Sequence, residues 1–557
     1  MAGYYNWATY EFDEERDLEP YYKVWTCNAQ FSIPAKTPFD QYYIVSLVAE
    51  DFFRAVEELS IPFPMPRDLR LKDNYWYISI LQFTEEEIRR REPIFRERIT
   101  PWIEDPDAIW RGEMVPELEG YHERWRRVDV EKASDLELLN LFEDWLRVVV
   151  RIWELHFVSM FAGYSIYELF VDLCRERFGI DDKHPQFMAL MGGFDNREFV
   201  IDRNLCQLGD RAIGLGLESL FQATPDDEEL LSKLKESAAG RQWLQEFHEV
   251  VSRHGCRVND FWVLSTPSWM TKPSLAIPGI RGGIATGGVF AIDKERERKV
   301  KEREEAGRDF LSRVPDEKRD WFKKLMRGAE WLAMYELDHA YYTECIAVAH
   351  AERITKEIGK RFARLGMIDE PEDIHYLLPD EIRLAILGMY NRRRQQKTVE
   401  IRKEQHQKFL QITPPMVIGD PSVLPGLIGK SPFLRHIIVQ PISKPELKAD
   451  LYGSGSAPGV AEGRARVVPT FAQADKVQPG DILVTISTLS YWTPLFSIVK
   501  AVVTDVGGAL SHPVIVAREF GIPSVAGTVE GTKKIKTGDR IRVDGDNCCI
   551  YILSEKE

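Results

Sequence analysis

The sequence predicts an α+β multidomain protein, with a large, mainly helical body followed by a compact α/β domain. Three observations carry that expectation. At 557 residues the chain exceeds what one hydrophobic core supports, so two or three domains are expected. Through much of the first 365 residues, long stretches repeat apolar residues at intervals of three and four, the mark of core helices. Near the C-terminus the rhythm changes to short apolar runs punctuated by Gly and Pro, as where 501–503 lead into Gly507-Gly508, which suits strands alternating with short helices.

Taken in order, residues 1–125 are rich in aromatic side chains and mixed in period. Within them 74–80 (Asn-Tyr-Trp-Tyr-Ile-Ser-Ile) alternates as a strand should, and Thr84 opens a helix with a capping-box pattern. From 134 to 178, Leu136, Leu139, Phe142, Leu146, Val149, Trp153 and Phe157 fall on one face and predict a long core helix. Its most apolar part is interrupted by Arg151, Glu154, His156 and Glu168, which are costly in lipid, so a buried helix is expected and not a membrane span. Shorter helices fill 190–250. The segment 279–288, with Gly282-Gly283 and Gly287-Gly288, lacks the Gly-Lys-Ser/Thr ending and the preceding strand of a nucleotide loop, so a mobile surface loop is expected. A charged, solvated helix should follow over 293–324 and a second long helix over 331–365. The Pro-, Gly- and Ser-rich stretch 414–450 reads as a linker. The expected division is 1–125 and 126–413 for the two parts of a substrate domain, 414–450 for the linker, and 451–557 for the C-terminal domain.

A net charge of −15 argues against nucleic acid or an anionic membrane as the main partner, since both demand clustered positive charge. The seven cysteines show neither a disulfide framework nor a Cys-x-x-Cys metal pattern, and no metal site is expected. Together with an N-terminus that has no basic segment leading into an apolar core, they predict a reducing, cytoplasmic setting.

The chemistry concentrates at 504–525. Gly507-Gly508 allows a tight turn after the apolar run; Ser511 suits the N-cap of a short helix, Pro513 its first turn, and Gly521 with Pro523 its end. His512 is therefore expected at a helix N-terminus, where the dipole favours a phosphate and disfavours a charged imidazole. A neutral imidazole is a nucleophile near pH 7. Gly-Gly, Ser-His, Ala-Arg-Glu and Gly-Ile-Pro in this order resemble the swivelling phosphohistidine domain of the phosphoenolpyruvate-utilising enzymes, which include phosphoenolpyruvate synthase, rifampin phosphotransferase and phenylphosphate synthase. The resemblance covers roughly 446–557 and includes Ala457-Pro-Gly-Val-Ala-Glu-Gly463, Pro479-Gly-Asp-Ile-Leu-Val484, Trp492-Thr-Pro494 and the closing Gly538-Asp with Val543-Asp-Gly545. Pro513 departs from it, since the family more often has a small residue there. The 366–382 segment also resembles the connector that precedes this domain in the same group.

The resemblance implies a phosphotransferase in which His512 carries a phosphoryl group, with Gly507, Gly508, Ser511 and Arg518 supporting it. Arg518 equally suits a brace to Glu519 or Asp505. The group would come from Mg-ATP on a separate ATP-grasp-type nucleotide-binding subunit, because this sequence shows no phosphate loop. The acceptor would be a small molecule with a hydroxyl group: a phenol if the likeness to the histidine-bearing subunit of phenylphosphate synthase holds, otherwise another alcohol or drug-like molecule. A phosphocarrier or regulatory scaffold without catalysis is the alternative of a different class. For the acceptor side the polar loop 253–260 offers Arg253, His254, Arg257 and Asp260 beside Trp269, in a loose likeness to the middle domain of rifampin phosphotransferase. His339, one turn from Tyr335, is a further candidate, though a hydrogen-bonded histidine inside a helical bundle accounts for it as well.

Overall fold

The computed structural model describes residues 11–18, 24–28, 32–81, 83–182, 184–258, 260, 262–412, 414–431, 434, 445–469, 471–488, 492–508 and 511–553. They divide into two compact units, the first made of Met1–Ala162, Asp260–Thr266 and Tyr342–Leu434, the second of Gly163–Asn259, Pro267–Tyr341 and Arg435–Glu557. These are not the expected cuts at 125, 413 and 450. The units divide instead at Ala162/Gly163, inside helix Asp135–Phe178, and at Tyr341/Tyr342, and the chain returns to each unit more than once. Helix Asp135–Phe178 forms over the predicted span. The second long helix starts earlier than expected, at Asp316, and continues from Ala340 through a π-helical turn at Tyr341–Cys345 into Ile346–Arg364.

In the first unit a four-stranded antiparallel sheet has the order β2-β3-β1-β4, where β1 is Val24–Cys27, β2 Met65–Lys72, β3 Tyr75–Leu81 and β4 Val417–Gly419. The alternation read at 74–80 is thus β3. Its hairpin with β2 turns through Asp73 and Asn74, both at positive φ, where Asp and Asn are tolerated best among residues with a side chain. Strand β4 lies in the stretch expected to be linker. It pairs with β1, and the Tyr77 hydroxyl donates to Pro415 O at 2.9 Å, so the start of that stretch is built into the sheet. Residues 435–444 of the expected linker lie outside the described residues. Thr84 caps helix Glu85–Glu104 in a complete capping box, as expected. The buried face of helix Asp135–Phe178 is tied down by Trp145 Nε1, which donates to Ala347 O at 2.8 Å, and by Trp153 Nε1, which donates to the Tyr43 hydroxyl at 3.0 Å.

The second unit combines helices with an eight-stranded sheet. Close helix contacts depend on glycine. A Cβ at Gly163 would lie 2.6 Å from Leu332 Cδ1, and one at Gly328 2.4 Å from Ile166 Cγ2. The glycine-rich segment 279–288, expected to be a mobile loop, is instead mostly helix Ile277–Thr286, packed on helix Arg197–Gly214. A Cβ at Gly283 would stand 2.9 Å from Cys206 Cα and one at Gly279 2.5 Å from Leu205 Cδ1, so these glycines permit a close approach and do not signal mobility. Gly283→Val should therefore lower stability by about 1–3 kcal/mol through overpacking, outweighing the ~0.5 kcal/mol that Val gains over Gly in a helix. Urea denaturation of the two proteins gives the difference.

The sheet has the order β5-β12-β11-β7-β8-β9-β10-β6. Here β5 is Leu451–Tyr452, β6 Gly455–Ala457, β7 Val460–Val467, β8 Ile482–Thr485, β9 Ala501–Thr504, β10 Ser524–Ala526, β11 Arg540–Asp544 and β12 Cys549–Leu553. Strands β7, β8, β9 and β10 run parallel to one another and the remaining pairs are antiparallel. Ile482, Val484, Ala501, Val503, Val525, Ile541 and Val543 fill its core. In a parallel sheet the loops at the carboxyl ends of the strands carry the site. The α+β multidomain class stands.

Candidate active site

β9 ends at Thr504, and the chain reaches Gly507 at φ +129, a backbone conformation that suits glycine. A Cβ on Gly507 would lie 2.6 Å from Ser511 Oγ. Gly508 O accepts from Ser511 N at 3.0 Å and from Ser511 Oγ at 2.6 Å. Ser511 thus occupies the N-cap with the expected extended backbone, but its hydroxyl turns back into the loop and does not cap the helix. Asp505 braces the turn from below, accepting from Thr532 N at 3.0 Å and Thr528 Oγ1 at 3.1 Å, and also from the Thr532 hydroxyl. Gly507→Ala should cost about 1–3 kcal/mol of backbone strain and misplace Ser511. A thermal melt reports the first effect and the yield of phosphorylated protein the second.

His512 opens helix His512–Phe520, with Pro513 in its first turn and Gly521 left-handed at φ 65 at its end, all as expected. Its Nδ1 lies 3.0 Å from Oγ1 of Thr488, a fully buried residue just past the carboxyl end of β8. The Phe496 ring meets the imidazole edge-on at 6.0 Å. Burial, with a smaller push from the positive charge of Arg257, lowers the His512 pKa to about 3, so the ring is neutral at pH 7.

Arg257 comes from the polar loop singled out in the sequence. A bridge between Val258 and Ser268, with Trp269 N donating to Arg257 O and Met270 N to Gly255 O, both at 3.0 Å, folds this loop into a narrow antiparallel turn. The Arg257 guanidinium is buried, lies 5.9 Å from the Trp269 ring centroid and pairs with Glu198 on helix Arg197–Gly214. His254 is fully buried. Asn204 Nδ2 lies 3.1 Å from its Nε2; with the amide as donor the ring proton sits on Nδ1, which has no hydrogen-bond partner among the described residues. Burial and the charges of Arg197, Arg253 and Arg257 push the His254 pKa down to about 3.

The remaining candidates are dispersed. Arg253 is exposed, and its carbonyl accepts from Arg197 Nη2 at 3.3 Å and the Tyr341 hydroxyl at 3.4 Å. Asp260 belongs to the first unit, where it accepts from Trp262 N at 2.8 Å. His339 donates from Nδ1 to Tyr335 O at 2.8 Å and stacks on the Tyr335 ring at 4.6 Å; burial lowers its pKa to about 4. Arg518 lies about 240° around the helix from His512 at ~100° per residue. It lines a cleft of about 280 Å³ with Pro185, Lys299 and Glu519, and it is surrounded by Tyr167, Asp182 and its neighbour Glu519. That cleft, and not the turn before His512, is its place. Asp505, offered above as its brace, is held by Thr528 and Thr532. In the same cleft the buried Lys299 Nζ donates to the Glu519 backbone carbonyl and lies 3.1 Å from its carboxylate.

Three residues escaped the sequence reading. Thr488 lies in a loop with no motif of its own. Glu198 and Asp202 stand four apart on helix Arg197–Gly214, on the stripe formed by Ile201, Leu205 and Leu208. Carboxylates that interrupt an apolar stripe at this spacing are the signal that could have found them.

His512 thus stands at the carboxyl end of a parallel sheet, after a glycine turn and within reach of the charge of a buried arginine, in the part of the chain that is similar to the mobile domain of phosphoenolpyruvate-utilising enzymes. Residues 477–548 match the family of the PEP-utilising enzyme mobile domain, and residues 156–335 match the rifampicin phosphotransferase fourth domain. The chain is 27% identical over 510 residues to chondramide synthase cmdD of Chondromyces crocatus, covering 88% of this chain and 13% of that protein. It is 31% identical over 336 residues to a rifampicin phosphotransferase of Streptomyces sp, covering 59% and 37%. Over 106 residues it is 45% identical to the probable phosphoenolpyruvate synthase of Pyrococcus horikoshii, covering 19% and 13%. The chain thus spans well under half the length of these curated relatives.

Proposed function

We propose that this chain is the phosphoryl-carrying and acceptor-binding part of a phosphotransferase. His512 takes a phosphoryl group that originates on Mg-ATP held by an ATP-grasp-type nucleotide-binding partner and passes it to a hydroxyl acceptor beside Arg257. The observation that carries this reading is a neutral His512 whose Nδ1 faces Thr488 while the charge of Arg257 acts on the ring. With Thr488 at Nδ1, we take Nε2 as the atom that carries the phosphoryl group. A hydrogen bond to Nδ1 also eases departure of the ring when the N–P bond breaks. Arg257 supplies positive charge where the transferring group gathers negative charge, which is the main demand of phosphoryl transfer. Because one histidine serves a donor and an acceptor, its domain must move between them, and the Lys299–Glu519 contact would open in that step.

The acceptor class we assign is a phenolic hydroxyl, as for phenylphosphate synthase. The likeness of 156–335 to the rifampicin phosphotransferase domain supports a second reading, an alcohol on a drug-like molecule. Potassium phosphoramidate, a small donor that phosphorylates histidine, makes the test independent of the partner. The loaded protein should carry one acid-labile, base-stable phosphoryl group on His512 and yield a phosphate ester when mixed with a panel of phenols and alcohols, identified by mass spectrometry. Loading without any ester across the panel, only inorganic phosphate, would make the chain a carrier or scaffold. Failure to load His512 would remove the reading altogether.

A further inference from the structure

Helix Arg197–Gly214 places two carboxylates, Glu198 and Asp202, one turn apart on the face that meets the Arg257 turn. Their situations differ. Glu198 is buried and committed: its Oε2 accepts from Arg257 Nη1, while its Oε1 has no hydrogen-bond partner among the described residues. Asp202 is half-buried and makes neither a hydrogen bond nor an ion pair with the described residues, yet it is close enough to Arg257 and Glu198 to feel both charges. His254, three residues before Arg257 in the chain, adds a second buried polar atom without a partner among the described residues, Nδ1. Two unpartnered polar atoms in fully or nearly fully buried side chains are costly unless something else meets them, which points to a ligand here. Arg257 connects the cluster to His512, since its charge acts on that imidazole as well.

We propose that Asp202 is the base that takes the proton from the acceptor hydroxyl, while Arg257 holds the phosphoryl group and Glu198 holds Arg257. The inference rests on the reading of His512 as phosphoryl carrier. The acceptor O–H gives its proton to the Asp202 carboxylate, and the oxygen lone pair forms the new O–P bond. The Nε2–P bond breaks with its electron pair left on the imidazole. The ring takes one proton from solvent to return to its neutral form, and Asp202 releases one to solvent as the ester leaves, so protons balance.

The electrostatics suit the role. Burial raises the Asp202 pKa to about 7, with the positive charge of Arg257 pulling it down and the negative charge of Glu198 pushing it up. A base with a pKa near the working pH combines a populated charged form with real proton affinity. Above pH 7 the carboxylate is charged and competent, and below pH 7 it is protonated and idle.

Water, the smallest hydroxyl acceptor, makes the test independent of the natural one. The full chain is loaded with potassium phosphoramidate, freed of donor, and the decay of phospho-His512 is followed from pH 5 to 9 with and without phenol. In the wild type, the decay in excess of the acid-catalysed loss seen in urea-denatured protein should slow as pH falls through 7. Asp202→Asn should load normally, decay at least tenfold more slowly at pH 8 and lose the pH step; Asp202→Glu should recover part of both. Asp202→Asn should also melt higher than the wild type at pH 8, with the gap closing towards pH 4, because the raised pKa makes the charged carboxylate a burden to the fold. A tenfold loss without the change in pH profile would mean a structural role and overturn the proposal, as would an Asn variant that decays at the wild-type rate. If the wild type does not load at His512, it is the carrier reading that fails. If it loads and decays as described but phenol takes no phosphate, only the phenol assignment fails.

Discussion

His512→Ala should lose both half-reactions: no phosphoryl group from phosphoramidate or from a nucleotide-binding partner, and no product. His512→Asn is the sharper variant. It preserves approximate size and a polar group opposite Thr488, so it should fold normally and be equally inactive. The two also separate the histidine from Ser511 beside it, since a phosphoserine resists acid and a phosphoramidate on histidine does not. Stability adds an independent sign. Burial holds the folded His512 pKa near 3, below the ordinary value of 6.5, so the neutral ring costs the fold nothing above pH 6.5. As pH falls from 6.5 towards 3 the unfolded chain takes up a proton that the folded one does not, and wild-type stability declines. His512→Asn should therefore gain on the wild type between pH 6 and pH 4 in parallel denaturation curves. Label retained by His512→Ala, or product made by it, would place the chemistry on another residue.

How much of this was legible in the sequence follows from what local pattern can encode. The turn and helix around His512 were, because a positive-φ glycine, a first-turn proline and a left-handed glycine cap act within about ten residues. The long helix 135–178 and the strand 75–81 were, because apolar spacing reports a buried face directly. Segment 279–288 was misread because glycine has two uses: it loosens a backbone that has no neighbour and tightens one that has. Only the position of Cys206 distinguishes them. The stretch 414–450 reads as linker for a similar reason, since β4 owes its existence to β1, which lies nearly four hundred residues away in the chain. In the candidate site, Arg257, His254 and Trp269 could be grouped from the sequence because they are close together in it, but their neighbours Glu198 and Asp202 come from another helix and Thr488 from another loop. Arg518 was carried into the site by nearness in the chain, and helix geometry takes it out again.

Arg257 should show the second large effect, and its interpretation needs two separate measurements. The buried Arg257–Glu198 pair contributes little net stability if it is intact, but removal of one member strands the other. Arg257→Leu is expected to destabilise the fold by about 3–5 kcal/mol, the usual result of an uncompensated buried charge. The double variant Arg257→Leu, Glu198→Leu removes both charges and should recover most of that loss. Transfer should not recover with it. If Arg257 stabilises the charge that develops on the moving phosphoryl group, the double variant should still transfer more slowly by roughly 10²–10³-fold, the scale for loss of one such donor. Arg257→Lys, which keeps the charge without the paired donors, should fall between. The His512 ring gives an independent reading, because the positive charge of Arg257 helps to hold its pKa down. In the double variant the imidazole pKa should move upward, measurable by proton NMR of the ring. Wild-type transfer by a stable double variant, with the His512 pKa unmoved, would reduce Arg257 to a brace for the loop; recovered stability with lost transfer and a raised pKa is the pattern that a phosphoryl-holding arginine requires.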